Sequence, residues 1–274
     1  MRIPVLTYHA VNIAGNDYAN NDLVAFAADL RLIDDLGVRI VPLSRVADAV
    51  LGRTDCDLSR CVALSCDDGS DFDFQDLDHP VHGPQRSLFN CLQDFIDERG
   101  ALAQPDLHLT SFVIASPLAR SELDRRCLVG HDWMGEHWWQ RAIASGRMAI
   151  QCHSWEHNHP ALGATGTDGT PRGSFEVIDS PARAEHEIAQ AMAYLGQHLG
   201  QHEITQFAFP FGQSNRYLID TYLPTRGREL GLRAAWSTDG RAVTPTDNVW
   251  NLPRYVCGWH WKSPDELHRI LAAP

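Results

Sequence analysis

This 274-residue chain has no surplus of positive charge, and its formal balance of −12 argues against nucleic acid or an anionic membrane surface as a partner. It also lacks paired-cysteine motifs. The seven cysteines are an odd number, and none shows CxxC or zinc-ribbon spacing. Cys61, Cys66, Cys91, Cys152 and Cys257 sit in apolar runs, where cysteine acts as a small buried hydrophobe. A reducing compartment is the simpler reading. No run approaches the length of a membrane span, and no charged segment followed by an apolar one opens the chain, so a cytoplasmic location is expected. Internal repeats, low-complexity segments and linkers are absent as well, and residues 1–274 read as one domain.

Fourteen histidines and eight tryptophans are high counts for this length. The first suits metal chemistry and the second suits stacking on sugar rings, although both are compatible with use in a core. Strand-like and helix-like patterns alternate. Strands are expected at 4–8, 38–41, 62–66, 111–115, 148–152, 206–209 and 234–237, with a strand-like run at 249–252. Helices are expected at 22–36, 44–51 (capped by Ser44), 87–99, 138–145, 181–199 and 263–271. This alternation implies a mostly parallel sheet with right-handed crossovers, closing like a barrel with about seven strand-helix units.

The chemistry concentrates at one strand end. The apolar run Val62 to Cys66 stops on Asp67, Asp68 and Gly69. Strand ends are where α/β folds expose reactive groups, and adjacent residues on an extended chain point to opposite sides. Two such carboxylates can divide labour between an ion and a proton, or can simply form a solvated turn. His153 and His157 supply two imidazoles, which with one carboxylate make a three-ligand zinc site that keeps an open position. The alternative is a plain pair of surface or core histidines.

Three segments, Ser65-Cys-Asp-Asp-Gly69, His153-Ser-Trp-Glu-His157 and Phe207-Ala-Phe-Pro-Phe-Gly212, resemble in order and context the first three motifs of the polysaccharide deacetylases. These are the NodB-homology enzymes of carbohydrate esterase family 4. The opening Pro4-Val-Leu-Thr-Tyr-His9 is similar to the first strand of many members. The resemblance implies a distorted (β/α) barrel and metal-dependent removal of N-acetyl groups from a carbohydrate substrate. It implies Asp67 as general base, with Asp68, His153 and His157 holding one divalent ion, zinc by preference. It also implies that the Phe211 N–H helps hold the oxyanion.

The family often opens its third motif with an arginine that pairs with the base, and this chain has none there. Arg254, in Asn251-Leu-Pro-Arg254, is the expected replacement, placed within direct hydrogen-bonding reach of Asp67. The family's last histidine has no clear copy. His260, in Gly258-Trp-His-Trp261, is the local candidate for the proton donor, against a reading as a packed or surface residue. Tyr8 and His9 are expected on the pocket floor, and His159 as a neighbour of the metal ligands. The acidic stretch 70–84, with Asp71, Asp73, Asp76 and Asp78, is expected to be a mobile loop rimming the cleft. Trp133, Trp138, Trp139 and Trp155 are candidates for a sugar platform, at least half of them for the core. The remaining alternatives are deacylation of a non-polymeric amide or an O-acetyl ester, or a catalytically weak sugar-binding protein on the same scaffold.

Overall fold

The computed structural model describes residues 1–273. Ten strands form, in chain order β1 (Val5–Tyr8), β2 (Arg39–Ile40), β3 (Cys61–Cys66), β4 (Leu77–His79), β5 (Gly83–Gln85), β6 (Leu109–Val113), β7 (Met148–Cys152), β8 (Gln206–Ala208), β9 (Ala234–Trp236) and β10 (Tyr255–Val256). The main sheet runs β10-β1-β3-β6-β7-β8-β9, with β2 also on β3, and every pairing in it is parallel. The central strands β3, β6 and β7 are buried along nearly their whole length because helices cover them; all six residues of β3 are buried.

The sheet curls until its edges approach. The Ser237 N–H donates to the Leu252 carbonyl and the Leu252 N–H to the Ala235 carbonyl, so the segment before β10 is tied to β9. Three residues later the same segment lies against β1, where Leu6 pairs with Tyr255. This α/β architecture is a distorted barrel, and Arg254 stands at its seam.

Several local expectations need correction. The strand-like run 249–252 makes only isolated bridging contacts, and the strand is Tyr255–Val256. Ser44 caps nothing, because the helix Leu43–Val50 begins after Pro42. The stretch 181–199 is helical to His198 through a π-helical turn, Glu185–Ala189. The helix Pro117–Cys127 and the π-helical segment Leu218–Gly227 stand where no element was expected.

The acidic stretch is anchored rather than mobile. It contains the antiparallel pair β4 and β5. Asp73 is fully buried, accepting from Ser111 Oγ at 2.7 Å and Cys66 Sγ at 3.3 Å. Burial without a cation pushes its carboxyl up to about 8, those two hydrogen bonds only partly opposing the shift. Asp76 accepts from the Ser87 N–H and Asn90 Nδ2, both at 2.8 Å, which ties the stretch to the start of helix Leu88–Arg99.

Candidate active site

The C-terminal ends of β3 and β7 point their side chains into one cleft of about 660 Å³. The β6 strand lies between them, so its own end forms the wall of the site. The His153 N–H donates to the Val113 carbonyl at 2.9 Å, and the Ile114 N–H to the Asp68 carbonyl at 3.3 Å. Gly69 follows with φ +76, and a Cβ there would lie 2.5 Å from a Val113 methyl, so only glycine lets the chain turn against β6.

Asp68, Ser154, His157, Asn158 and Phe211 all take left-handed φ values, between 44° and 74°. Such backbone conformations cost energy for residues with a Cβ and gather where function fixes geometry.

One ligand atom from each of Asp68, His153 and His157 lies within 4.8 Å of the others. Both histidine Nε2 atoms stand 3.6 Å from Asp68 Oδ1. A tetrahedral ion bound at about 2.0–2.1 Å sets its ligands about 3.3–3.5 Å apart, so the trio fits an ion of zinc's size with little movement. His153 Nδ1 lies 2.9 Å from the Ala208 carbonyl, which fixes the proton there and turns the Nε2 lone pair towards Asp68. Burial pushes both imidazoles down, and His157 falls well below its usual range with His153 and His159 as neighbours. Neutral imidazole is the form that binds metal. His157 Nδ1 is buried without a protein partner.

Asp67 faces the other way, towards the seam. Arg254 Nη1 donates to Asp67 Oδ1 at 2.7 Å and Nη2 to Oδ2 at 2.8 Å, a two-pronged pair with both side chains buried. The guanidinium is further held by the Ser237 carbonyl at 3.2 Å and Ser65 Oγ at 3.3 Å. Burial alone would raise the Asp67 carboxyl, but Arg254, with His153 beside it, holds it well below the usual carboxylate range.

Phe211 lines the cleft from the turn after β8, its ring centroid 4.5 Å from that of His157. Gly212 keeps that turn open, since a Cβ there would meet Thr238 Oγ1 at 1.8 Å. His159 and His260 also line the cleft. His260 Nδ1 accepts from the Val256 N–H at 2.8 Å, so its neutral ring carries the proton on Nε2, and burial lowers its pKa.

The other expected residues divide. His9 lines the cleft, its N–H bound to Asp22 Oδ2 at 2.8 Å and its Nδ1 buried without a partner. Tyr8 does not line it. Its ring is fully buried and its hydroxyl donates to Asp29 at 2.9 Å, because inward and outward positions alternate along β1. No residue of 70–84 reaches the cleft. Trp138 and Trp139 are core residues, and Trp133 and Trp155 pack half-buried against the core away from the lining. The aromatic on the rim is Trp259, which composition alone did not single out. An aliphatic flank of Ile114, Leu123, Leu128 and Met134 also went unforeseen, because Leu123 belongs to the unexpected helix Pro117–Cys127.

The sequence profile described as Polysaccharide deacetylase matches residues 55–234, about two thirds of the chain and both β3 and β7 with their metal-ligand candidates. The chain belongs to the polysaccharide deacetylase family. Membership makes it a hydrolase of the carbohydrate deacetylase class, and metal dependence is general in that family. The fold agrees with this. A Streptococcus pyogenes deacetylase, PplD, solved with acetate, superposes with a TM-score of 0.64 at 19% identity over 99% of this chain and 98% of that one. IcaB from Ammonifex degensii gives a TM-score of 0.63 at 20% identity, over 99% and 96%. A de-N-acetylase from Aggregatibacter actinomycetemcomitans gives 0.61 at 15%, over 94% and 96%. Comparison with curated protein sequences gives no match. No helix among the described residues is long and apolar enough to cross a membrane.

Proposed function

We propose that this deacetylase hydrolyses the acetamido group of an N-acetylated sugar with one divalent ion, zinc by its donor set, held by Asp68, His153 and His157. The observation that carries the reading is the split between the two adjacent carboxylates. Asp68 converges with two imidazoles, while Asp67 is turned away from that trio and locked by Arg254. A sugar-binding protein would have no use for the second arrangement.

A bound zinc ion supplies Lewis-acid polarisation of the acetyl carbonyl and lowers the pKa of water. The chain's own groups do the rest. Asp67, ionised and oriented by Arg254, takes the proton from the attacking water. The two-pronged pair also keeps Asp67 from swinging across to join Asp68. The Phe211 N–H, in the turn lining the cleft, holds the developing oxyanion. The amine leaves with a proton from a cleft imidazole. The donor must be the cationic ring, which returns to neutral imidazole: His260, His9 and His159 are the cleft imidazoles outside the metal trio, and His260 first takes a proton on Nδ1 in place of its bond from the Val256 N–H.

Acetate release from N-acetylglucosamine oligomers, measured before and after chelation and after zinc is restored, tests this reading. Release that chelator abolishes and zinc restores is the expected result. Release that is indifferent to chelator, or none from any N-acetylated sugar, rules it out.

A further inference from the structure

Six large hydrophobic side chains are exposed among the described residues, and the only aromatics among them, Phe211 and Trp259, both line the metal cleft. Trp259 is 80% exposed. An indole left in water forgoes the large burial gain its area offers, so the position asks for an explanation. The turn that carries it is rigid. Gly258, at φ +74, donates to the Trp261 carbonyl at 2.9 Å, and the His260 N–H donates to the Val256 carbonyl at 2.8 Å. The His260 ring in turn accepts from the Val256 N–H at 2.8 Å. On the far side Trp261 is buried, its Nε1–H donating to Asp29 at 3.1 Å and its ring edge-on to Tyr8 at 5.5 Å. The Trp259 ring pairs with no other aromatic ring, and its indole N–H donates to no protein acceptor among the described residues.

The rest of the lining narrows what could cover it. Beyond the metal trio, an anionic ring such as a uronic acid or a sugar phosphate meets no lysine or arginine in the cleft lining. A neutral pyranose presents a face of C–H groups that packs on an aromatic plane while its hydroxyls stay in water at the ring edge.

We propose that Trp259 is a stacking platform for a neutral pyranose ring of the substrate, next to the sugar whose acetamide reaches Asp67 and the metal ligands. The proposal rests on the reading of this cleft as a sugar deacetylase site, and it makes the substrate an oligomer rather than a single sugar.

Asp67→Asn removes the base while leaving the cleft shape, so binding can be read without turnover. Calorimetric titration with the N-acetylglucosamine tetramer compares Asp67→Asn with the same protein carrying Trp259→Ala or Trp259→Phe, melting temperatures serving as the fold control. Loss of about tenfold in affinity is expected for the alanine variant, equivalent to about 1.4 kcal/mol, with the phenylalanine variant in between. Affinities within twofold of one another, or no tetramer binding at millimolar sugar, overturn the platform. Acetate release by the unaltered protein separates the two claims. Release together with binding indifferent to Trp259 removes the platform alone. Trp259-dependent binding without release removes the deacetylase reading and leaves the platform standing.

Discussion

Asp68 with His153 and His157, and Glu156 with His186 and Glu187, meet the same distance test for a trio that could hold an ion. They differ in what else touches them. Glu156 is paired with Arg172, and its N–H donates to Glu187 Oε2 at 3.1 Å. The space beside that trio is about 10 Å³, against about 660 Å³ beside the first. The second trio has its charges answered by protein groups, whereas the first keeps two imidazole Nε2 atoms and a carboxylate facing open space. The number of suitable residues does not separate a site from a structural ion pair; unused bonding capacity does.

Removing a ligand is the strongest way to sharpen the contrast. Asp68→Ala or His157→Ala is expected to lower metal content from about one zinc per chain to near zero and to abolish turnover, by elemental analysis and acetate assay. Asp67→Asn is expected to keep the metal and to lose about 10²–10⁴-fold in kcat, the usual share of a general base. Full activity in that variant would make Asp67 something other than the base.

Arg254→Ala leaves a carboxylate buried without its cation, which costs about 3–5 kcal/mol in comparable pairs. Activity should fall, and the acidic limb of the pH–rate profile should move upward, since loss of the cation raises the carboxyl's pKa. Arg254→Lys should rescue only part, one ammonium being unable to copy two parallel hydrogen bonds.

In the second trio, Glu187→Ala should leave metal content unchanged and cost about 1 kcal/mol in denaturant unfolding, from the loss of its bond to the partly buried Glu156 N–H. Loss of zinc there would erase the distinction drawn between the trios. The smallest effect concerns His186, whose pKa is raised by the Glu156 carboxylate 4.0 Å from its Nε2, burial opposing. A folded pKa above the unfolded one gives stability that is full below about 6.5 and fades as pH rises through the folded value. The melting-temperature gap between the unaltered protein and His186→Ala should therefore be wider at acidic than at alkaline pH.

Much of the site was legible because its motifs sit at the ends of strongly apolar strands, where sequence pattern and chemistry coincide. Cys61–Cys66 running into Asp67 and Asp68 is the clearest case. Arg254 could be anticipated as a partner, but its place at the seam depends on backbone bonds between residues 235–237 and 249–252 that no periodicity announces. The helix Pro117–Cys127 carried a start signal, Ser116 followed by Pro117, but is too charged to show an apolar stripe. Pro224 inside Leu218–Gly227 reads as a breaker, and the structure absorbs it in a π-helical segment. The acidic stretch read as solvent-facing because composition cannot show Asp73 turned inward to Ser111. Trp259 was hidden by its own group, since four other tryptophans offered the same argument and only the fold tells which one faces the cleft.

The two-pronged pair at the seam also has a consequence for the order in which the protein becomes competent. Asp67 and its guanidinium are 187 residues apart in the chain. During synthesis the three metal-ligand candidates are all present by residue 157, and the carbonyl that orients His153 by residue 208. The cation for Asp67 arrives last. The candidate ligands thus precede the partner of the candidate base in synthesis, and the Asp67–Arg254 pair can form only once the barrel's final strand has been made and has docked beside the first.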